Sequence, residues 1–291
     1  MNARVLAVIG GSGAYDLLRD QSLEGPCAGP VETPYGNSAP VRRIDCGEGA
    51  AVMFMSRHGE RGYEVAAPFV NYRANIYALK SLGVSHIVAW SGPGAIDPSL
   101  EVGQYVVPDD LLDATRGRAS TFFEGKGHGF IRQNPVFCPV LRSLLLSACA
   151  STSRPVRDGA TYVCTQGPRL ETPAEIRQYA ILGAHLVGMT LIPESFLARE
   201  LAMGYAPLCY ITNYAEGVRE RPYESGTLFE GLATTDERQR VRDAVSALPD
   251  LLRSVARAWR EIAPDCACHT SMERFVRSGR LGPDWRTWTD R

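Results

Sequence analysis

Arg57 and His58 stand side by side in the stretch MSRHGERGY, directly after an apolar run. A guanidinium offers a planar fork for two oxygens of an anion, and an imidazole adds a further donor. Three other stretches carry residues suited to the same ligand. VIGGSGAYDLL leads from the apolar run Val5 to Ile9 into Gly10, Gly11, Ser12 and Gly13, and loops of this kind hold phosphate through backbone N–H groups. VAWSGPGAI puts Ser91, Gly92 and Gly94 after another apolar run, with small residues that let the backbone approach an anion. VGMTLIPE puts Thr190 after a fourth.

Spacing narrows the choice of phosphate. A dinucleotide turn needs G-x-G-x-x-G and an acidic residue about twenty positions later. Here Gly11-Ser12-Gly13 is followed by Ala14, Tyr15 and Asp16, so the third glycine is missing. A triphosphate loop needs G-x-x-x-x-G-K-[ST], and no lysine is near. A free or transferred phosphate remains, held by hydroxyls, N–H groups and one cation. Taken singly, an Arg-His pair at a strand end is ordinary surface and a glycine turn is only a turn. Four such pieces, each closing an apolar run, converge as ligand sites do in open α/β sheets.

The elements that must position them are legible. RVLAVIG, AAVMFMS, SHIVAWSG, GQYVVP, TYVCTQG, AHLVGMT and APLCYITN are short, β-branched-rich and bounded by Gly or Pro, which predicts buried strands. Between them, residues 71–82, 173–183, 193–203 and 235–262 read as helices, two of them starting with Pro, the order expected at a helix N-terminus. Strand–helix alternation predicts an α/β fold: a single domain with a central mixed β-sheet flanked by helices. That domain is expected over residues 1–263. Residues 264–291 lack clean periodicity and alternate Arg with Trp, which predicts a C-terminal tail packed on the body or on a neighbouring subunit.

The chain has 291 residues, 45 % hydrophobic, and 31 basic against 32 acidic residues give a net charge of −1. No global field attracts nucleic acid or an anionic membrane, so a small molecule is the expected ligand. No apolar run is long enough to span a bilayer and no secretory leader is evident, so a cytoplasmic location is expected. The eight cysteines are mostly scattered within apolar segments, which suits reduced thiols. The exception is Cys266-Ala-Cys268-His269. Structural zinc sites draw on two separated pairs; no second pair is nearby in sequence, and no metal is expected.

In combination and order, IGGSG, ETPYG, SRHG, VNYRANIYALKSLG, GQYVVPDDLLD, TQGPRLETPAE, LGAHLVGMTLIPE and YITN are highly specific. From about residue 5 to residue 260 the sequence resembles the trimeric purine nucleoside phosphorylase and methylthioadenosine phosphorylase family. The resemblance implies a nucleoside phosphorylase-like fold and phosphorolysis: phosphate attacks C1′ of a purine nucleoside, giving free base and a sugar 1-phosphate. Inorganic phosphate is then a co-substrate, with no metal or organic cofactor. Ser12, Arg57, His58, Ser91, the Gly92 backbone and Thr190 would surround phosphate. Gly94, Leu170, Glu171 and Asn213 would receive the purine, Glu171 facing N1–H and Asn213 at N7 and O6. Met189, Tyr72 and Leu228 would border the ribose, with Phe130 supplied by the neighbouring subunit of a homotrimer. Asn213, Glu171 and His58 would carry the catalysis.

The same resemblance bears on the base. Adenine-specific members carry Asp at the position of Asn213 and again two residues on; here Asn213 and Ala215 stand there. A carboxylate accepts from a 6-amino group and repels a 6-oxo oxygen, so a 6-oxopurine is implied. Leu228, in SGTLFEG, points to an apolar pocket for a 5′-methylthio group. 5′-Methylthioinosine is therefore the first-choice substrate, an inosine or guanosine phosphorylase the second reading, and a methylthioadenosine phosphorylase the third. A nucleoside-binding protein without turnover and a hydrolase using water are alternatives of other classes. Without the resemblance, Glu171 reads as a helix-start acid, Asn213 as a turn residue and Phe130 as core. Two departures stand out. Ser91-Gly92-Pro93 replaces a Thr-Ala or Ala-Ala pair, and Pro93 has no N–H. Cys266-Ala-Cys268 resembles a C-x-C motif that some heat-stable relatives oxidise.

Overall fold

All seven apolar runs form strands. In the computed structural model, which describes residues 4–152, 154–221, 225–228 and 232–289, the strands are β1 (Val5–Gly10), β2 (Cys27–Gly29), β3 (Glu32–Thr33), β4 (Gly36–Asn37), β5 (Val41–Gly47), β6 (Ala50–Ser56), β7 (Val84–Ser91), β8 (Gly94–Ala95), β9 (Tyr105–Val107), β10 (Asp110–Ala114), β11 (Val156–Asp158), β12 (Thr161–Thr165), β13 (Leu186–Gly188), β14 (Gly204–Tyr210) and β15 (Asn213–Tyr214). Eight make one mixed sheet in the order β11-β9-β14-β7-β1-β6-β5-β2. Its centre is parallel: Val8 of β1 sits opposite Phe54 of β6 on one side and Val88 of β7 on the other. Leu6, Ala7, Val8 and Ile9 are all buried, as a strand covered on both faces requires.

A second sheet, β10-β12-β13-β8-β15, grows out of the first. Four strands of the large sheet (β7, β9, β11 and β14) break for two residues and resume as β8, β10, β12 and β15. The breaks fall at Gly92-Pro93, Pro108-Asp109, Gly159-Ala160 and Ile211-Thr212. Three of the four breaks carry proline, which cannot donate to a ladder, or glycine, which tolerates a bend; the chain turns at all four, and a cleft lies between the sheets.

The helices are α1 (Ala14–Arg19), α2 (Tyr72–Ser81), α3 (Pro139–Ala150), α4 (Pro173–Ile181), α5 (Leu191–Glu200), α6 (Thr235–Ser246), α7 (Leu248–Glu261) and α8 (Glu273–Arg277). α3 and α7 pack on each other, α7 also on β5 and β6; α2 and α5 pair and rest on β7. Leu248, Leu251, Leu252, Val255 and Trp259 are buried along one face of α7. The helix read as continuous over 235–262 is two. α6 ends at Ser246, and α7 begins with Pro249 in its first turn, where the missing N–H costs nothing but cannot serve a helix interior.

The C-terminal segment packs on the body. Cys266 and Cys268 join the main core, while Met272, Phe275, Leu281 and Trp288 close over Phe123. None of the helices among the described residues is long and apolar enough to cross a membrane.

Candidate active site

Where the two sheets part lies a cavity of about 530 Å³, within the range of small-ligand pockets. One end is built from three strand termini of the large sheet. Gly11 and Ser12 follow β1, Arg57 and His58 follow β6, and Ser91 and Gly92 close β7; all line the cavity. Gly11 is there for want of space: a Cβ would lie 2.7 Å from the Trp90 carbonyl and 2.8 Å from Arg57 Nη1. The Ser12 carbonyl accepts from Tyr210 Oη at 2.7 Å, which holds the turn against β14. Thr190, the residue before α5, adds a buried hydroxyl. Pro93 loses a donor, but its carbonyl accepts from Thr212 N at 3.1 Å, and this ties β8 to β15.

The Arg57 fork does not face the cavity. Its Nε and Nη2 each meet a Glu194 carboxylate oxygen at 2.8 Å, and Nη1 donates to the Trp90 carbonyl at 3.0 Å. Both side chains are fully buried, and Tyr205 Oη donates to Glu194 at 2.7 Å. The expected two-oxygen grip is therefore spent on Glu194. Removing either partner would strand a buried charge, at about 3–5 kcal/mol. Arg57 forms part of the cavity wall behind Gly11, with no part of its side chain exposed.

His58 is also constrained. Its Nδ1 lies 2.8 Å from the Val65 carbonyl, which can only accept, so Nδ1 carries the proton. Burial, with Arg57 beside it, pushes its pKa down to about 4. The neutral ring therefore offers an Nε2 lone pair, an acceptor where the sequence suggested a donor. Tyr63 stacks on the ring at 4.4 Å.

The other end is built by the small sheet and the loops after it. Glu171 is buried, and its Oε1 accepts from Thr165 Oγ1 at 2.5 Å. The helix-start reading of Glu171 fails, because Thr172 and Glu175 form the capping box of α4. Asn213, buried on β15, donates Nδ2 to the Tyr214 carbonyl at 2.8 Å and accepts from Thr212 Oγ1 at 2.7 Å. One N–H and one lone pair of the amide remain for a ligand. Gly94, Leu170, Met189, Ala215 and Leu228 complete this end. Leu228 is more than half exposed; Phe229 to Gly231 of its segment lie outside the described residues.

A family model described as "Phosphorylase superfamily" matches residues 5–256. The chain belongs to the phosphorylase superfamily. This superfamily member is 40 % identical over 220 residues to the 6-oxopurine nucleoside phosphorylase of Pyrococcus furiosus, covering 73 % of this chain and 80 % of that one. It is 42 % identical over 226 residues to the "Probable S-methyl-5'-thioinosine phosphorylase" of Methanothermobacter thermautotrophicus, covering 78 % and 77 %. Among solved structures, a methylthioadenosine phosphorylase from an antarctic soil metagenomic library superposes with a TM-score of 0.79 at 32 % identity, over 93 % of this chain and 91 % of that one.

Within the superfamily member, two sequence-selected residues stand off the cavity. Tyr72 is buried in α2 and donates to the Ala67 carbonyl at 2.9 Å; its ring lies under the Arg118 guanidinium at 5.7 Å. Tyr72 does not border the ribose end as expected, because the α2 face that carries it turns into the core. Phe130 is 80 % exposed, away from this chain's own cavity, so the reading of Phe130 as core is wrong.

Arg118 escaped sequence reasoning. Its Nη1 donates to the carbonyls of Met189 (2.7 Å) and Ile192 (2.6 Å), and its Nη2 to those of Thr165 (3.0 Å) and Gln166 (2.8 Å). It therefore clamps the loops after β12 and β13, which carry Glu171, Met189 and Thr190. An arginine in a polar loop gives no sequence signal of this. Tyr15, Tyr63 and Glu216 also line the cavity unforeseen.

Proposed function

We propose that the chain catalyses phosphorolysis of a purine nucleoside, with 5′-methylthioinosine first among its substrates and other 6-oxopurine nucleosides next. The observation that carries this reading is the polarity of one cavity. Hydroxyls and backbone N–H groups ring one end, and a buried Glu171–Asn213 pair, with no carboxylate at positions 213 or 215, faces the other. The relatives named for 6-oxopurine nucleosides and methylthioinosine support it.

In this reading Ser12, Ser91, Gly92 and Thr190 hold phosphate, with Arg57, paired to Glu194, as the wall behind them. His58 Nε2 accepts the O–H of the hydrogen phosphate dianion, which orients its other oxygens toward the sugar. A phosphate oxygen bonds to C1′ as the C1′–N9 bond breaks, and the electron pair leaves with the purine. Asn213 donates its remaining N–H to the purine at O6 and N7, so charge on the leaving base is stabilised, while Glu171 accepts from N1–H and so selects and orients a 6-oxopurine. The phosphate proton ends on the base, and the sugar 1-phosphate leaves as the dianion. Holding both reactants together supplies much of the remaining rate. Phosphate is the co-substrate and no cofactor enters the reaction.

Met189 borders the ribose and Leu228 the 5′ group. Exposed Phe130 suits a role over the 5′ group of a neighbouring subunit in a homotrimer. The phosphorylase domain spans residues 1–263, residues 264–291 form a C-terminal tail, and the protein is cytoplasmic. The test is a panel of methylthioinosine, methylthioadenosine, inosine and guanosine, each with and without phosphate. Phosphate-dependent release of hypoxanthine, fastest from methylthioinosine, is the expected result. Tight nucleoside binding without turnover, or release of free sugar whatever the phosphate level, overturns it.

A further inference from the structure

Three cysteines and a histidine that the proposed reaction does not use meet in the core. The Sγ atoms of Cys138, Cys266 and Cys268 and the donor nitrogen of His86 all lie within 4.8 Å of one another, and all four residues are buried. They come from three places far apart in sequence. His86 is near the start of β7, Cys138 is the cap residue before α3, and Cys266 and Cys268 follow α7. The second ligand pair that was missing near Cys266 in sequence is thus supplied by the fold. His269, the sequence candidate for a third ligand, is exposed and takes no part.

We infer that these four side chains form a closed, structural Cys3His zinc site. Zinc takes thiolate at about 2.3 Å and imidazole at about 2.1 Å in a tetrahedron, which sets donor–donor edges of roughly 3.5–3.8 Å. His86 Nε2 already lies 3.3 Å from Cys266 Sγ, and the widest separation needs to close by only about 1 Å to meet that geometry.

The imidazole is set for coordination. Ser85 Oγ donates its one proton to the Val5 carbonyl (3.3 Å), so it accepts from His86 Nδ1–H at 3.1 Å. That leaves the Nε2 lone pair aimed at the thiols, the outer-shell arrangement typical of zinc histidines. The ring fits because residue 204 is glycine: a Cβ there would fall 2.1 Å from His86 Cδ2. Cys138 is fixed through its backbone N–H on the Tyr205 carbonyl at 2.8 Å. With three thiols, any disulfide would leave one cysteine and the oriented histidine unused, whereas zinc employs all four donors. Binding displaces up to three thiol protons.

The site is not catalytic. None of its four residues lines the cavity, and His86 is five residues along β7 from Ser91, about 16 Å at the rise of a strand. Its effect is to pin the C-terminal segment to β7 and α3, just ahead of the Met272, Phe275, Leu281 and Trp288 cluster that covers Phe123.

The test uses the full chain, reduced, loaded with excess zinc and dialysed. Elemental analysis is expected to find about one zinc per chain, falling to about a tenth or less in a Cys266→Ser, Cys268→Ser double variant and unchanged in His269→Ala. Cobalt in place of zinc is expected to show the visible bands of a tetrahedral ion and strong thiolate charge transfer. These cobalt spectra need only the unaltered chain, so a variant that fails to fold does not blunt the test. On chelation, three further thiols become reactive and the melting temperature drops. Reduced, zinc-loaded protein holding less than about a tenth of an equivalent, or a double variant that folds and keeps its zinc, overturns the proposal.

Discussion

Replacing Asn213 by Asp probes the base end most directly. Asn213 spends one N–H on the Tyr214 carbonyl and its oxygen on Thr212 Oγ1, which leaves one N–H for the base. Asn213→Asp exchanges that donor for an acceptor at the same place. A 6-oxopurine loses a buried hydrogen bond worth about 2 kcal/mol, and a 6-amino group gains one of about the same size. The sum, about 4 kcal/mol, is roughly a thousand-fold swing in kcat/KM for methylthioadenosine over methylthioinosine, since each 1.36 kcal/mol is tenfold. The substitution also sets an acidic oxygen against the Tyr214 carbonyl, so a loss of about 1–3 kcal/mol in stability accompanies it. Burial favours the protonated acid, which still donates, so the swing should grow as pH rises. Paired measurements of kcat/KM on both nucleosides at several pH values, with Asn213→Ala as the neutral control, are the assay. An unchanged substrate ratio at every pH in a folded variant would refute the placement of Asn213 at the base.

Two further expectations follow from groups away from the base. Arg118→Ala strands four backbone carbonyls; at about 1 kcal/mol each, partly recovered by water, it should cost a few kcal/mol and lower kcat/KM at least tenfold, as urea unfolding and kinetics will show. The third concerns pH. His58 is held down to about 4 from 6.5 by burial, so its contribution is present above pH 6.5 and lost as pH falls toward 4. Glu200, buried against Thr121 Oγ1 and the Phe122 N–H, is raised by burial from 4.5 to about 7, so its contribution is present below pH 4.5 and lost as pH rises through 7. Each amounts to about 3 kcal/mol, with opposite sign over nearly the same window. Relative to wild type, His58→Gln should gain stability and Glu200→Gln lose it on going from pH 7 to pH 5. Urea unfolding at both pH values and one protein concentration checks this, and parallel curves for all three proteins contradict it.

Residue pattern and residue contact divide this molecule cleanly. The seven apolar runs announced the buried strands because burial on both faces selects short β-branched segments, and the strand-end residues Ser12, His58, Ser91 and Thr190 were legible because glycine turns and hydroxyls mark where such strands stop. Glu171 and Asn213 were legible through motif order alone; their side-chain partners Thr165 and Thr212 were not. Periodicity could not divide α6 from α7, since an apolar stripe continues in phase across one capping residue. What only the tertiary structure decided was who faces whom. It turned the Arg57 fork onto Glu194, 137 residues away, fixed the His58 proton on Nδ1, and clamped two loops with Arg118. It also brought His86 to Cys266 across 180 residues. Composition and periodicity report the environment a side chain needs, buried or exposed. Hydrogen-bond partners and ligand sets depend on distances between segments that no local pattern encodes.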